Sequence, residues 1–316
     1  MIFIFSVTNV RRRIFEREWQ PRMGGFMMLI VAGVTAVFVM EGTGKDDHVL
    51  RASRNFYGTL KVFDYSRDDT EEHYRLLMHG ATTHGLQFTS PTKSVLATTY
   101  YGPHSGVGLA LNHLPRESGR RLGLVGLGTG TLAVLGRAGD YMRIYEINPA
   151  VEKLARDPFT HLAHSPAKID VIMGDARLSM EREIAAGESQ QFDLLALDAF
   201  SSDAIPVHLL TREAVALYLK HLRPDGVLAV HISNRYLNLE PVVSALTKEF
   251  GLSMATISDD DELDWWIYST TWILVTKNKA LLATTEIREA TDDPPKKARP
   301  TVLWTDDHAA LYEILK

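Results

Sequence analysis

From Asn55 onward the apolar positions fall in short runs, and the spacing of those runs changes once along the chain. Between Asn55 and about Gln87, "NFYGTLKVFDYS" and "EHYRLLMHGATTHGLQF" alternate apolar and polar residues, with Gly and Asp-Asp as punctuation. That pattern predicts the antiparallel strands of a small β domain. Beyond the Gly/Pro-containing connector "TYYGPHSGVGLALNHLP", five apolar runs read as strands: "RLGLVGL", "MRIYEI", "IDVIMGD", "FDLLALDAF" and "GVLAVHIS". Amphipathic segments separate them, such as "LTREAVALYLKHL" ahead of Pro224-Asp225-Gly226. Strands alternating with helices predict an α/β fold, a doubly wound parallel sheet of Rossmann type with helices on both faces. A further helix is expected over "LEPVVSALTKEFG", then an antiparallel hairpin from "LSMATIS" and "TWILVTK" around an acidic loop; "TDDPPKKARP" reads as a solvated connection.

One run breaks the scheme. Gly24 to Met40, "GGFMMLIVAGVTAVFVM", is uncharged and long enough to span a bilayer. Arg11, Arg12, Arg13, Arg17 and Arg22 precede it, but no small-x-small cleavage site follows, so an uncleaved transmembrane anchor is expected rather than a signal peptide. A buried helix of an otherwise soluble protein is the alternative. The chain then divides into a basic flank with a membrane anchor (1–45), a small β domain with its connector (46–115) and a Rossmann-like domain (116–316). Sidedness is contested within the sequence. The arginine bias places the N-terminal flank in the cytoplasm, whereas a catalytic domain using a cytosolic donor must itself face the cytoplasm. "MIFIF" at the start reads as the remnant of a preceding span, which weakens any topology rule applied to this chain alone.

Charge and composition narrow the chemistry. The 34 basic and 39 acidic residues give a net charge of -5, which carries no electrostatic footprint for nucleic acid and tolerates a cationic small molecule. The chain has no cysteine, which excludes disulfides, thiolate metal sites and a cysteine nucleophile. His73, His79, His84, His104 and His113 cluster in sequence at spacings that fit no common metal motif, so no metal is expected. Neither a Gly-x-Ser-x-Gly elbow nor a Walker sequence occurs.

The turn "GLGTG" after the first Rossmann strand holds Gly126, Gly128 and Gly130. A dinucleotide fingerprint would need Gly or Ala where Thr131 stands, so the turn fits the methionine and ribose portions of S-adenosylmethionine (SAM) better than a pyrophosphate. Glu146 ends the next strand, where a carboxylate can accept both ribose hydroxyls, and Asp175 ends the third, where it can accept from an adenine amino group. Asp198 stands at the carboxyl end of the fourth, with Asp203 five residues later. A carboxylate there can take a proton from an attacking amine, and a second can bind a distal ammonium. The acidic loop "DDDELDWW" is a further candidate for holding a polyamine by charge and cation–π contact, against the plainer expectation of a solvated loop with a buried tryptophan.

These residues resemble the spermidine synthases and related aminopropyltransferases, in particular the domains that follow membrane segments in bacterial fused proteins. The resemblance covers roughly Asn55 to Lys316 and rests on "NFYGTLKV", "HGATTHGLQ", "GLGTG", "YEINP", "GDAR", "LDAFSSDAIPVHLLT" and "WTDD". It implies decarboxylated SAM as aminopropyl donor, a small amine or polyamine as acceptor, and Glu146, Asp175 and Asp198 as ribose, adenine and acid/base residues. It further implies Gln87 at the donor site and Tyr100 or Tyr101 at the amine. A homo-oligomer through the β domain is one expected arrangement. Three departures stand out: Thr129 where the family turn carries Asp, "TYYGPHSG" for its Tyr-His-Glu segment, and "DAFSSD" for its tight Asp-Ser-Ser-Asp loop. A SAM-dependent small-molecule methyltransferase and a membrane-tethered, non-catalytic nucleoside- or polyamine-binding module remain alternatives.

Overall fold

The computed structural model describes residues 25–35, 47–115, 119–199, 206–260, 264–294 and 301–316. The chain forms two compact units, Met1–Asp47 and His48–Lys316. In the first, residues 25–35 are helical with exposed side chains. Eleven residues rise about 16 Å, half of a bilayer core. The spanning helix expected over Gly24–Met40 is not found: no helix among the described residues is long and apolar enough to cross a membrane. The remainder of that run lies outside the described residues.

The second unit begins with a four-stranded antiparallel sheet, β1 (Val49–Asn55), β2 (Gly58–Tyr65), β3 (Tyr74–His79) and β4 (Thr82–Phe88), in chain order. Its alternation is real: in β2, Leu60, Val62 and Asp64 are buried while Lys61 faces solvent. Leu60, Val62 and Leu77 join the same apolar cluster as the Rossmann residues Leu122, Leu124 and Ile144, which seats the β domain on the larger sheet.

That sheet has seven strands: β5 (Arg121–Val125), β6 (Tyr141–Glu146), β7 (Lys168–Met173), β8 (Phe192–Leu197), β9 (Leu222–His231), β10 (Ser253–Asp259) and β11 (Thr270–Thr276). Their spatial order is β10-β11-β9-β8-β5-β6-β7. β5 to β9 are parallel, and β11 enters antiparallel between β9 and β10. The chain winds outward from β5 through β6 to β7 and then returns to place β8 on the other side of β5, so the switch point lies at the carboxyl ends of β5 and β8.

Several elements escaped the sequence pattern, among them the helices Lys279–Leu282 and Thr285–Ala290 after the last strand. β1 precedes the first recognised strand, and the connector contains a helix, Gly106–His113, capped by Ser105. Six of its eight residues are buried, and a Cβ on Gly106 would stand 2.6 Å from Trp272 Cβ. The six buried residues of this helix are consecutive and all apolar or glycine, so no polar face reveals its period.

Candidate active site

At the switch point a cavity of about 270 Å³ lies between the β domain and the carboxyl ends of β5 to β8. Gly126 and Gly128 form its floor. Gly126 adopts φ +97°, and a Cβ there would stand 2.3 Å from the Asp198 carbonyl oxygen. Gly128 adopts φ +53°, and a Cβ would meet the His84 carbonyl at 2.8 Å. Only glycine combines these backbone angles with such close approach.

Glu146 reaches this floor from β6. It is 7% exposed, and its two oxygens accept from Leu127 N–H at 2.9 Å and Asn148 N–H at 2.7 Å. Burial raises its pKa, and the backbone donors of Asn148, Leu127 and Ile147 oppose the rise. Three backbone donors leave the carboxylate one lone pair for a ligand. Asp175 caps the helix Ala176–Ala185 through Leu178 N–H at 2.9 Å, and its other oxygen lies 3.0 Å from His208 Nε2. It is thus both the helix cap and a cavity residue. Three carboxylates, Glu146, Asp175 and Asp198, face this cavity, and no lysine or arginine lines it among the described residues.

Asp198 is also part of a second, smaller cavity of about 120 Å³, bordered by Tyr100, Tyr101, His231 and Ser233. The Tyr101 hydroxyl donates to Asp198 Oδ2, and His231 Nδ1 lies 2.6 Å from Oδ1. Burial and the Asp198 charge push the Tyr101 pKa well up, so it stays a donor. Tyr100 donates to the Thr83 carbonyl instead, and burial raises its pKa as well. Asp198, together with Gly128 and His84, therefore forms the wall between the two compartments.

Comparison with known proteins fits this architecture. No family model matches the chain. A polyamine aminopropyltransferase of Vibrio vulnificus is 34% identical over 128 residues, 39% of this chain and 40% of that protein. Spermidine synthase from Thermotoga maritima superposes with a TM-score of 0.53 at 12% identity, covering 83% of this chain and 82% of the other. A probable spermidine synthase from Corynebacterium glutamicum gives 0.52 at 17% identity, covering 79% and 99%. In fold the chain is similar to the spermidine synthases. An N-terminal histidine N-methyltransferase of Emericella nidulans is also 33% identical over 120 residues, 37% of this chain and 21% of that protein. The chain thus matches two fifths or less of the length of either curated relative.

Across the two cavities the predicted residues separate into groups. Gly126, Gly128, Glu146, Asp175 and Asp198 share the larger cavity, and Tyr100 and Tyr101 the smaller. Gly130 lines neither; it adopts φ +82° as the cap of the 3₁₀ turn Thr131–Leu135. Gln87 also lines neither. It is 3% exposed, and its amide donates to Ser94 O and Thr160 Oγ1 and accepts from Thr160 N–H, each at 2.9 Å. This amide joins the β domain to the large sheet. Asp203 lies outside the described residues. Thr129, at the position of the family's acid, is buried with its hydroxyl 2.8 Å from that of Thr131. It packs against Gly85 and does not line either cavity.

Sequence reasoning missed Tyr57, Asn148, His208, His231 and Ser233, all of which line one cavity or the other. Of the five clustered histidines, His79 and His84 border the larger cavity with rings 5.1 Å apart, while His73 pairs with Asp64 and His113 with Glu286. In the acidic loop, Trp265 and Trp266 pack on Tyr74 and Phe88 of the β domain, yet neither is the buried tryptophan expected there: Trp265 is 48% exposed and Trp266 half-buried.

Proposed function

We propose that this chain is an aminopropyltransferase that moves an aminopropyl group from decarboxylated SAM to an amine. The observation that carries this reading is the charge of the larger cavity, with three carboxylates and neither lysine nor arginine among the described lining residues. A sulfonium cation gains from such a surround. The donor's free ammonium gains again, whereas the carboxylate of ordinary SAM would face like charge. In this reading Glu146 accepts from a ribose hydroxyl and Asp175 from adenine. Asp198 stands where the two compartments meet, and the acid/base function depends on it. Tyr100 and Tyr101 shape the acceptor compartment, and Asp203 belongs to the segment that follows the wall. With Thr129 turned toward Gly85, recognition of the donor's ammonium falls to the strand-end acids.

The second reading, a SAM-dependent methyltransferase, is favoured by the matched segment of the histidine N-methyltransferase. Mass spectrometry of products after incubation with each donor and a panel of amines separates the two. Aminopropylated amine and methylthioadenosine are expected; methylated product from ordinary SAM would replace the first reading with the second. Binding without turnover would leave a non-catalytic module.

Attachment to a membrane through the apolar run 24–40, with the catalytic unit on the cytoplasmic side, is part of the same proposal. It rests on the hydropathy of that run and on the cytosolic origin of the donor. Digestion of the region after Glu41 by protease added to intact spheroplasts would overturn the sidedness.

A further inference from the structure

Asp198 is held from two sides, by the Tyr101 hydroxyl on one oxygen and His231 Nδ1 on the other. An ionised carboxylate in this position calls for the tautomer with its proton on Nδ1, which makes His231 Nε2 an acceptor. Nε2 lies 2.9 Å from Ser233 Oγ and 3.1 Å from Thr270 Oγ1. Ser233 Oγ accepts from Thr271 N–H at 2.8 Å, which leaves its own proton to point at the imidazole. The ring lies nearly flat on Trp272, with centroids 4.7 Å apart and planes at 15°, so its orientation is fixed by packing as well as by hydrogen bonds. The titratable groups around it are Asp198, Tyr100 and Tyr101, while β11 presents Thr270 and Trp272. Carboxylate, imidazole and hydroxyl stand here in the order that makes an imidazole a base and balances its charge once protonated.

We propose that His231 is the proton acceptor for a nucleophile bound in the smaller cavity, with Asp198 as the positioning group that fixes its tautomer and offsets the imidazolium. This deepens the transferase reading and rests on it. As a neutral amine nitrogen bonds to the methylene carbon of an adenosyl sulfonium, the C–S bond breaks and its electron pair returns to sulfur. The nitrogen, now positively charged, gives one proton to His231 Nε2. What remains is a neutral amine product, a thioether and an imidazolium paired with Asp198. Ser233 relays that proton or yields its place to the amine.

The test has two arms. In the first, histidine side-chain resonances are titrated by NMR in the wild type, His231→Gln and Asp198→Asn. The resonance missing from His231→Gln is expected to move its midpoint to lower pH in Asp198→Asn, because the imidazolium loses its anionic partner. An unmoved midpoint overturns the couple. In the second, transfer is followed against pH. His231→Gln is expected to lose at least about 100-fold in kcat and the limb between pH 5 and 8, with methylthioadenosine affinity within about twofold of wild type. A wild-type rate and profile in that variant overturns the proposal. Should His231→Gln fail to fold, Ser233→Ala reports in its place through a displaced pH limb, and an unchanged limb counts against the proposal. If the wild type binds methylthioadenosine but transfers nothing, the transferase reading falls, while the NMR arm still decides whether the imidazole and carboxylate are coupled.

Discussion

The larger cavity draws its polar groups from turns and strand ends, whereas the smaller draws them from side chains brought together across distant parts of the chain. Gly126, Gly128, Glu146 and Asp175 all sit where a parallel strand stops, so the fold delivers them to one place whatever else varies. Tyr101, His231 and Ser233 meet only because the connector, the end of β9 and the start of β11 converge on Asp198. In the proposed transferase the difference separates binding from chemistry. There the first compartment is the nucleoside cradle, scaffolded by the fold, and the second is a hydrogen-bonded network that a single substitution can retune.

The sharpest way to break the comparison is at the shared wall. Asp198→Asn should lower transfer on the order of 10²- to 10⁴-fold while methylthioadenosine still binds. Loss of both in calorimetry and turnover would mean that the wall belongs to the cradle alone.

The cradle has its own dependence on pH. His161 lies beneath the glycine turn, with Nδ1 3.2 Å from the Thr129 carbonyl, and burial pushes its pKa down to about 4. Between pH 6.5 and 4 the unfolded chain takes up a proton that the folded chain refuses, so stability is full above that window and falls as the pH drops through it. The loss is on the order of 3 kcal/mol. Urea midpoints measured across the window should show the slope, and His161→Leu should flatten it, leaving the smaller contribution of His221, whose pKa burial also lowers. An unchanged slope in the variant would remove His161 from the account.

Glu146→Ala should weaken methylthioadenosine binding by about 1.5–3 kcal/mol, the range for hydrogen bonds to a charged acceptor, and Glu146→Gln by less. Equal affinity in all three proteins would reduce Glu146 to a support for the Leu127 and Asn148 amides. The smallest effect on ligand binding is expected from Gln87→Ala. It leaves the part-buried Thr160 N–H without its acceptor and should cost about 1–3 kcal/mol of stability, read from the thermal midpoint, with affinity for methylthioadenosine unchanged. A fall in affinity without a fall in stability would return Gln87 to the donor site.

The parallel sheet and the residues of the cradle were legible because they obey local rules. A strand, a glycine turn and a carboxylate at a strand end are each written in a few adjacent residues, as in "GLGTG" and "YEINP". The helix Gly106–His113 was not, since six consecutive buried positions without a polar residue erased its period, and β1 was passed over ahead of the recognised hairpin. His231 was hidden for another reason. It is one histidine at the end of a strand, and nothing near it in sequence announces Asp198, thirty-three residues earlier, or Ser233's bond to the backbone of β11. Tyr101 and Asp198 were both within reach of sequence reasoning, though the bond between them was not. Gln87 illustrates the converse: its position was matched by resemblance, while its contacts are with Ser94 and Thr160.

The packing of Thr129 on Gly85 has a consequence for sequence change. A Cβ on Gly85 would lie 2.2 Å from the Thr129 hydroxyl, so the two positions cannot grow independently. A chain that acquires a longer acidic side chain at 129 must swing it away from β4 or open the seam between sheet and turn. Alanine at 85 would be strained by its φ of +146° whatever stands at 129, and serine at 129 would keep the hydroxyl that clashes. Position 85 should therefore stay glycine across related sequences, and any redesign of the turn toward a different donor has to begin in the β domain, forty-four residues upstream.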